Sequence, residues 1–528
     1  MLGTSVMEVT NKLLAAIALC LVVRTSVTGG YRILGVFPHT AKSHFIMSGT
    51  IMRELATRGH EVVVISPFPE KNPPKNYRDI TYVDPSNTIV DSFTLDMVGG
   101  ARIVETLYVL YSLGVETCEA TYSSQKVQEL LKSDEKFDLV MVEIFNTECF
   151  LPFAHRFNAS LVGISSSVLM PWANERFGNP DDPSYIPVHF TGYTDRMTFS
   201  ERLANTLILS AVKVAYDYVF NYKANQIVRK YFGEMVPTVE EMASKMSLLL
   251  VNSHFALHQP RPLVPAVVEV GGIHMKEPKA MPKEFEQFLN ESEHGVIYFS
   301  LGSTVRSDSF PEPMRQAFLE AFSHLPQRVL WKWESGSMPG QPSNVKIAKW
   351  MPQLEILSHP NVKAFITHGG LMGTMEAAYF GVPMIVIPLF GDQYLNAQSY
   401  VQKGIAVQLD YGTIDKKTVS AALRAVLQEP SYAENARRVS KALRDAPLSP
   451  VDTAVYWTEY VAKHGGAPHL RCAAADLPWY QLKLLDVFAV LLLGAVLLGL
   501  LIRAAARRLF SGAKRQEASN KGRKSKTS

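Results

Sequence analysis

The chain has 528 residues, 47% hydrophobic and 19% charged, which is enough for two domains and too apolar for intrinsic disorder. Its net charge is only +4; much of it lies in a basic C-terminal stretch beside an apolar run, which disfavours nucleic-acid binding. Of the four cysteines, Cys20 falls in a leader-like segment, and Cys118, Cys149 and Cys472 show neither metal-ligand spacing nor the even count of a disulfide framework.

Residues 1–30 have the form of a secretory leader: Lys12, an uncharged run over 13–23, Arg24, then mostly small residues to Gly30, with Glu8 departing from a purely basic start. That run is too short for a retained anchor. Residues 31–38 read as a strand, 39–58 as a loop and helix, and 59–66 as a turn and second strand, a βαβ unit that opens a parallel sheet. His39 and His44 fall in the loop after the first strand, the edge where open α/β sheets bind ligands. A further strand over 137–143 ends in Glu143, and Glu148 follows it. A strand is expected at 160–165, a proline-rich loop at 171–187, and helices over 200–231, where Tyr216, Tyr218, Phe220 and Tyr222 cluster, a pattern that is usually core but assigns none of the four singly. Pro260, Pro262 and Pro265 mark residues 258–280 as an interdomain linker between an N-terminal domain at 31–257 and a C-terminal one at 281–465.

The second α/β unit starts with a strand at 295–300 and the glycine turn Leu301-Gly302-Ser303. Further on, strand-length runs at 362–366 and 383–387 flank His368-Gly369-Gly370 and a helical stretch beginning near Gly373-Thr374-Met375-Glu376. Glycines after a parallel strand let a phosphate approach the backbone, and the following helix points its free N–H groups and positive dipole end at the anion. A diphosphate fits there, met by Ser303, His368, Gly370, Gly373 and Thr374. Glu376 can accept from both hydroxyls of a ribose, Trp350 and Gln353 can stack on and hydrogen-bond a uracil, and Asp392 and Gln393 can accept from sugar hydroxyls. The chain contains no Asp-x-Asp, the carboxylate pair that would hold a divalent metal on a diphosphate, so neither a metal nor another cofactor is expected.

Residues 466–481 read as a juxtamembrane segment and 482–502 as a transmembrane helix, uncharged from Val487 to Ile502. The tail, 503–528, carries nine Lys and Arg against Glu517, which makes it cytosolic and the body lumenal. Lys524-Ser525-Lys526-Thr527-Ser528 resembles a dilysine retrieval signal of the endoplasmic reticulum. In a lumenal body the sequons at Asn158 and Asn290 become candidate glycosylation sites.

The stretch from Trp350 to Gln398 resembles the signature of the UDP-glycosyltransferase family, membrane-bound enzymes typified by glucuronosyltransferases and insect glucosyltransferases. Ser300-Leu301-Gly302-Ser303, the run Pro326 to Lys332, and Trp457-Thr458-Glu459-Tyr460-Val461 are similar to family landmarks too, so the resemblance covers nearly the whole chain. HGGLMGTMEA and DQYLNA look arthropod-like, and at Met372 many relatives carry Asn. The resemblance implies two Rossmann-like α/β domains facing a cleft, the GT-B fold, with acceptor on the N-terminal half, UDP-sugar on the C-terminal half, and inversion at the sugar. The family's catalytic His corresponds to His44, preceded by Ser43. The family's supporting Asp corresponds to Glu143, one methylene longer, with Glu148 the other candidate. No Arg is assignable beside Asp392 and Gln393, so UDP-glucose is favoured over UDP-glucuronate. A small lipophilic acceptor and a possible homo-oligomer complete the expectation; the contrasting one is a catalytically silent, membrane-tethered binding protein.

Overall fold

The computed structural model describes residues 30–84, 88–146 and 148–524; the leader-like segment, apart from Gly30, and the last four residues of the retrieval-like sequence lie outside them. Residues 30–472 form one unit and 473–524 belong to a second.

The first unit holds two parallel sheets. One runs β3-β2-β1-β4-β5-β6-β7, built from β1 (Arg32–Val36), β2 (Glu61–Ile65), β3 (Tyr77–Ile80), β4 (Leu139–Glu143), β5 (Ser160–Ser165), β6 (Leu248–Val251) and β7 (Val267–Glu269). The other runs β10-β9-β8-β11-β12-β13, from β8 (Val296–Ser300), β9 (Arg328–Lys332), β10 (Val345–Ala348), β11 (Val362–Thr367), β12 (Met384–Val386) and β13 (Ala406–Gln408). Central strands such as β4 and β8 are apolar without alternation because helices cover both faces of each sheet. In the first sheet the chain order reverses between β1 and β4, and in the second between β8 and β11. A crevice opens at each reversal, beyond the C-terminal ends of the strands. Glu143 ends one of those four strands, and His44, Ser303 and His368 follow the other three.

Four helices bear on the site: α1 (Lys42–Thr57), α2 (Leu371–Phe380), α3 (Gln393–Gln402) and α4 (Pro450–His464). Helix α1 buries Met47, Ile51, Met52 and Leu55, three to four residues apart, and this apolar stripe fixes its rotation on the sheet.

Several expectations are corrected. Strand β7 pairs with β6 inside the stretch expected to be linker, so the first sheet extends to Glu269. Helix α4, expected in the C-terminal domain, returns to the first sheet, where Ala454, Val455 and Val461 share a core with Ile33, Met52 and Leu250. Conversely, Leu95 of the N-terminal half is fully buried in the core of the second sheet. Cys118 and Cys149 form a disulfide, although counting cysteines gave no framework; two cysteines distant in sequence meet only once the helix Ile103–Ser123 packs beside the segment after β4. The run Phe199–Phe232, interrupted by a π turn at Tyr216–Phe220, is long and apolar, but Leu209, Val212, Tyr216 and Phe220 are buried in the N-terminal core. Tyr218 and Tyr222 are exposed, so only half of that aromatic cluster is core.

In the second unit, the helix Leu485–Lys524 is long and apolar enough to cross a membrane. It begins three residues after the expected start, following the short turn Trp479–Leu482.

Candidate active site

A cavity of about 690 Å³ lies between the two switch points and is lined from both halves of the first unit. On the N-terminal side, His44 sits in the first turn of α1, just past the end of β1, and Glu143 ends the neighbouring β4. His44 Nδ1 and Glu143 Oε1 are 2.7 Å apart. Ser166, immediately after β5, donates its hydroxyl to the same carboxylate oxygen at 2.5 Å and stands 2.8 Å from Nδ1. A carboxylate at Nδ1 keeps the proton there and leaves the Nε2 lone pair free. Burial raises the Glu143 carboxyl, but His44, His39 and Ser166 outweigh burial and hold it below the ordinary carboxylate range. His39 stacks on His44 with centroids 4.1 Å apart, and Phe145 meets the ring edge-on. Burial, then the neighbouring His44, pushes His39 down to about 3, so it stays uncharged. Glu148, the other candidate, points elsewhere: it takes Arg176 Nη2 at 2.7 Å and the Tyr216 hydroxyl at 2.9 Å.

On the C-terminal side, His368 follows β11 and its imidazole lies between Gly302 and Gly370. Burial and Lys332 lower it to about 4, leaving a neutral ring that can donate one N–H. Helix α2 begins at Leu371 with Gly370 as its N-cap residue, two residues earlier than expected, so its first free N–H groups lie beside His368. Gly373 makes room for Gln353, whose amide nitrogen would stand 2.9 Å from a Cβ there. Gln353 in turn donates to Glu376 Oε2 at 2.6 Å and accepts from the Tyr298 hydroxyl at 3.3 Å. Burial raises the Glu376 carboxyl to about 7, with Gln353 pulling it down and Glu355 pushing it up. Trp350, 56% exposed, lies at the mouth with Lys42 Nζ 5.4 Å from its ring centroid. Ser303, Asp392 and Gln393 also border the cavity.

The chain matches the family model described as UDP-glucoronosyl and UDP-glucosyl transferase over residues 33–516. It is 44% identical to "UDP-glycosyltransferase UGT5" of Dactylopius coccus over 88% of this chain and 90% of that protein. It is 34% identical to human "UDP-glucuronosyltransferase 1A8" over 85% and 86%. Among solved structures it is similar to a UDP-glucosyltransferase from Polygonum tinctorium capable of glucosylating indoxyl, with a TM-score of 0.56 and 16% identity over 83% of this chain and 99% of that one. The chain belongs to the UDP-glycosyltransferase family.

Not every residue expected at this glycosyltransferase's donor site faces the cavity. Thr374 is fully buried, its hydroxyl spent on the Gly370 carbonyl at 3.0 Å and on the Tyr400 hydroxyl at 2.8 Å. A β-branched residue on the inner face of α2 packs inward, and starting the helix two residues earlier puts it on that face. The carbonyl oxygen of Gln393 already accepts from the backbone of Leu389 and Phe390, so only its amide nitrogen is left for a sugar. One oxygen of Asp392 takes Asn396 Nδ2 at 3.0 Å. Met372 meets Asn252 Nδ2 at 3.7 Å from its sulfur. Asn158 and Asn290 are both exposed, Asn158 in the left-handed region at the end of a short helix.

Sequence reasoning missed Ser166 and Lys332. Ser166 has one signal in the sequence, its place just past the end of the strand expected at 160–165. Lys332 Nζ lies 2.8 Å from Asp91 Oδ1 of the N-terminal half and 2.6 Å from Glu334 Oε1, at the cavity wall. Its one signal in the sequence is its place at the end of the run Pro326 to Lys332.

Proposed function

We propose that this UDP-glycosyltransferase moves a hexose, glucose in preference to glucuronate, from its UDP-sugar to a hydroxyl of a small lipophilic acceptor. The observation that carries this reading is the His44–Glu143 pair standing across one cavity from His368 and Glu376. The acceptor end of that cavity is walled by Ile46, Val109, Leu110, Leu113, Phe145 and Phe190, an apolar lining suited to an aromatic or aliphatic alcohol.

His44 Nε2 takes the acceptor's hydroxyl proton as the oxygen bonds to the anomeric carbon, and the bond from that carbon to the β-phosphate oxygen breaks with its electron pair leaving on UDP. Glu143 fixes the tautomer and stabilises the imidazolium that forms; general-base help of this kind is worth roughly 10²- to 10⁴-fold. The charge that builds on the diphosphate is met by His368, Ser303 and the N–H groups opening α2, with no metal assigned to the step. Glu376 holds the ribose, Trp350 and Gln353 the uracil, and Asp392 and Gln393 the sugar. A single displacement converts an α-linked donor into a β-glycoside. The helix Leu485–Lys524 anchors the enzyme in the endoplasmic reticulum membrane, with the catalytic unit lumenal and glycosylated at Asn158 and Asn290.

The test is a donor panel with full-length protein in microsomes: UDP-glucose, UDP-glucuronate and UDP-galactose with a phenolic acceptor, beside His44→Ala. Transfer from UDP-glucose that disappears in the variant supports the reading. Preference for UDP-glucuronate overturns the donor, and transfer that survives in His44→Ala overturns the base.

A further inference from the structure

His189 lies in the segment that leads to the helix Phe199–Ala215, beside Phe190, whose ring it meets edge-on at 5.0 Å. Its side chain is 5% exposed, yet Nδ1 has no hydrogen-bond partner among the described residues. A polar atom shielded and left so is costly, and turning the ring about its Cβ–Cγ bond would bring it to a hydrogen-bonding ligand in the adjoining cavity. The ring borders two spaces. One is the large cavity that Asp392 and Gln393 also line; the other is a small one of about 70 Å³, reached by Arg261, Leu395 and Ser399.

Asp392 is also the charge that acts on His189. Burial lowers the imidazole's pKa, and the pull of Asp392 in the other direction does not restore it, so the ring is neutral at physiological pH. It offers one N–H and one lone pair, the complement of a sugar hydroxyl. It brings no positive charge to a carboxylate, which the neighbouring Asp392 would repel. Arg261 does not border the large cavity, and its Nη2 is held by Asn174 Oδ1 at 3.0 Å and the Pro180 carbonyl at 2.8 Å.

Building on the UDP-hexose reading above, we propose that His189 is a donor-specificity residue: its imidazole hydrogen-bonds a hydroxyl of the transferred sugar beside Asp392 and so selects a neutral hexose over a uronate. This places one determinant of the donor on the N-terminal half, so the sugar is read from both sides of the cleft.

The experiment compares the binding of UDP, UDP-glucose and UDP-glucuronate, and the acceptor KM, for the full-length protein and its His189→Leu, His189→Gln and His189→Arg variants. UDP lacks the sugar and reports on the nucleotide site and on folding. His189→Leu is expected to raise the Kd for UDP-glucose about 3- to 10-fold, the equivalent of one hydrogen bond, with that for UDP unchanged. His189→Gln retains most of the UDP-glucose affinity, and His189→Arg shifts the preference toward UDP-glucuronate. Equal changes for UDP and UDP-glucose, no change for UDP-glucose, or an effect confined to the acceptor KM would overturn the assignment. If His189→Leu weakens UDP-glucose alone while the wild type transfers no sugar, the reading of the chemistry fails and this one stands. If the wild type transfers glucose and His189→Leu binds it normally, this one fails alone.

Discussion

Gly370 lacks a side chain because His368 occupies the space: a Cβ there would stand 2.6 Å from both Cε1 and Nε2 of the imidazole. Gly302 closes the other side, where a Cβ would come within 2.7 Å of Cε1. The glycines of this turn therefore hold a neutral histidine in place as well as admitting a phosphate.

Gly370→Ala is accordingly expected to push His368 out of its slot. Affinity for UDP should fall about 10-fold or more, by loss of one hydrogen bond to a charged group. Gly336→Ala, where a Cβ meets nothing within 4 Å, is the control. Calorimetric titration with UDP decides it: equal affinity in the two variants removes His368 from the diphosphate site.

Glu143 and Ser166 form a graded pair. Glu143→Gln leaves a group of the same shape but without charge, so kcat should fall by about 10² or more. Ser166→Ala removes one donor from the carboxylate and should lower kcat by about 10-fold or less. Both should leave donor KM nearly unchanged, because neither residue belongs to the UDP side. Glu148→Gln should act through folding rather than turnover, since Glu148 is paired with the buried Arg176. A kcat loss in Glu148→Gln equal to that in Glu143→Gln would sink the assignment.

The parts legible in the sequence were those set by local pattern. Apolar runs ending in Glu143, Ser165, Ser300 and Ile366 fall at or within one residue of the ends of β4, β5, β8 and β11, and the glycine turn marks a strand-to-helix junction. The parts that were not legible depend on which elements meet. Nothing near Ser166 in the sequence shows that β5 lies beside β4, or that a hydroxyl there reaches Glu143. Leu95 and Lys332 are joined to the opposite half only through the packing of a loop across the cleft. Thr374 was misjudged because a two-residue error in the start of α2 turns a side chain by more than half a turn, from the cleft to the core.

The Cys118–Cys149 disulfide joins the helix Ile103–Ser123 to the segment that follows Glu143 and carries Phe145, across a sequence separation of 31 residues. A loop of that size stabilises by about 3–4 kcal/mol on the chain-entropy model. The double variant Cys118→Ser, Cys149→Ser should inactivate several-fold faster on heating, and reductant should speed inactivation of the wild type but not of the variant. Identical half-lives with and without the bridge would show it to be dispensable.

Three buried histidines and the half-buried His368 make the fold sensitive to acid. His39 and His258 are lowered to about 3, and His274 and His368 to about 4, in each case chiefly by burial. An unfolded chain binds these protons near pH 6.5. The stability they contribute is therefore complete above pH 6.5 and is lost as pH falls from there toward 3–4, up to about 2 kcal/mol each by pH 5. Thermal inactivation followed between pH 7 and 5 should accelerate, and His258→Gln should flatten the dependence by one group; an unchanged slope would show that His258 takes up its proton in the folded state.

Glu376 titrates in the opposite sense. Its folded value of about 7 lies above that of an unfolded glutamate, so its burial favours the fold fully below pH 4.5 and that contribution is lost as pH rises through 7. Donor binding should run against this trend. The ionised carboxylate accepts from two ribose hydroxyls, whereas the protonated one has given up part of its acceptor capacity to its own proton. Affinity for UDP should therefore rise several-fold between pH 6 and 8, with the midpoint moving below 7 once bound hydroxyls stabilise the anion. Glu376→Gln, which cannot ionise, should bind UDP more weakly and with a flatter profile, the residual slope being that of the terminal phosphate of UDP, which loses its second proton at pH ~6. 2′-Deoxy-UDP should show a shallower dependence than UDP, because it removes one of the two hydroxyls. If Glu376→Gln retains the full pH dependence, the titrating group lies elsewhere and the carboxylate does not hold the ribose.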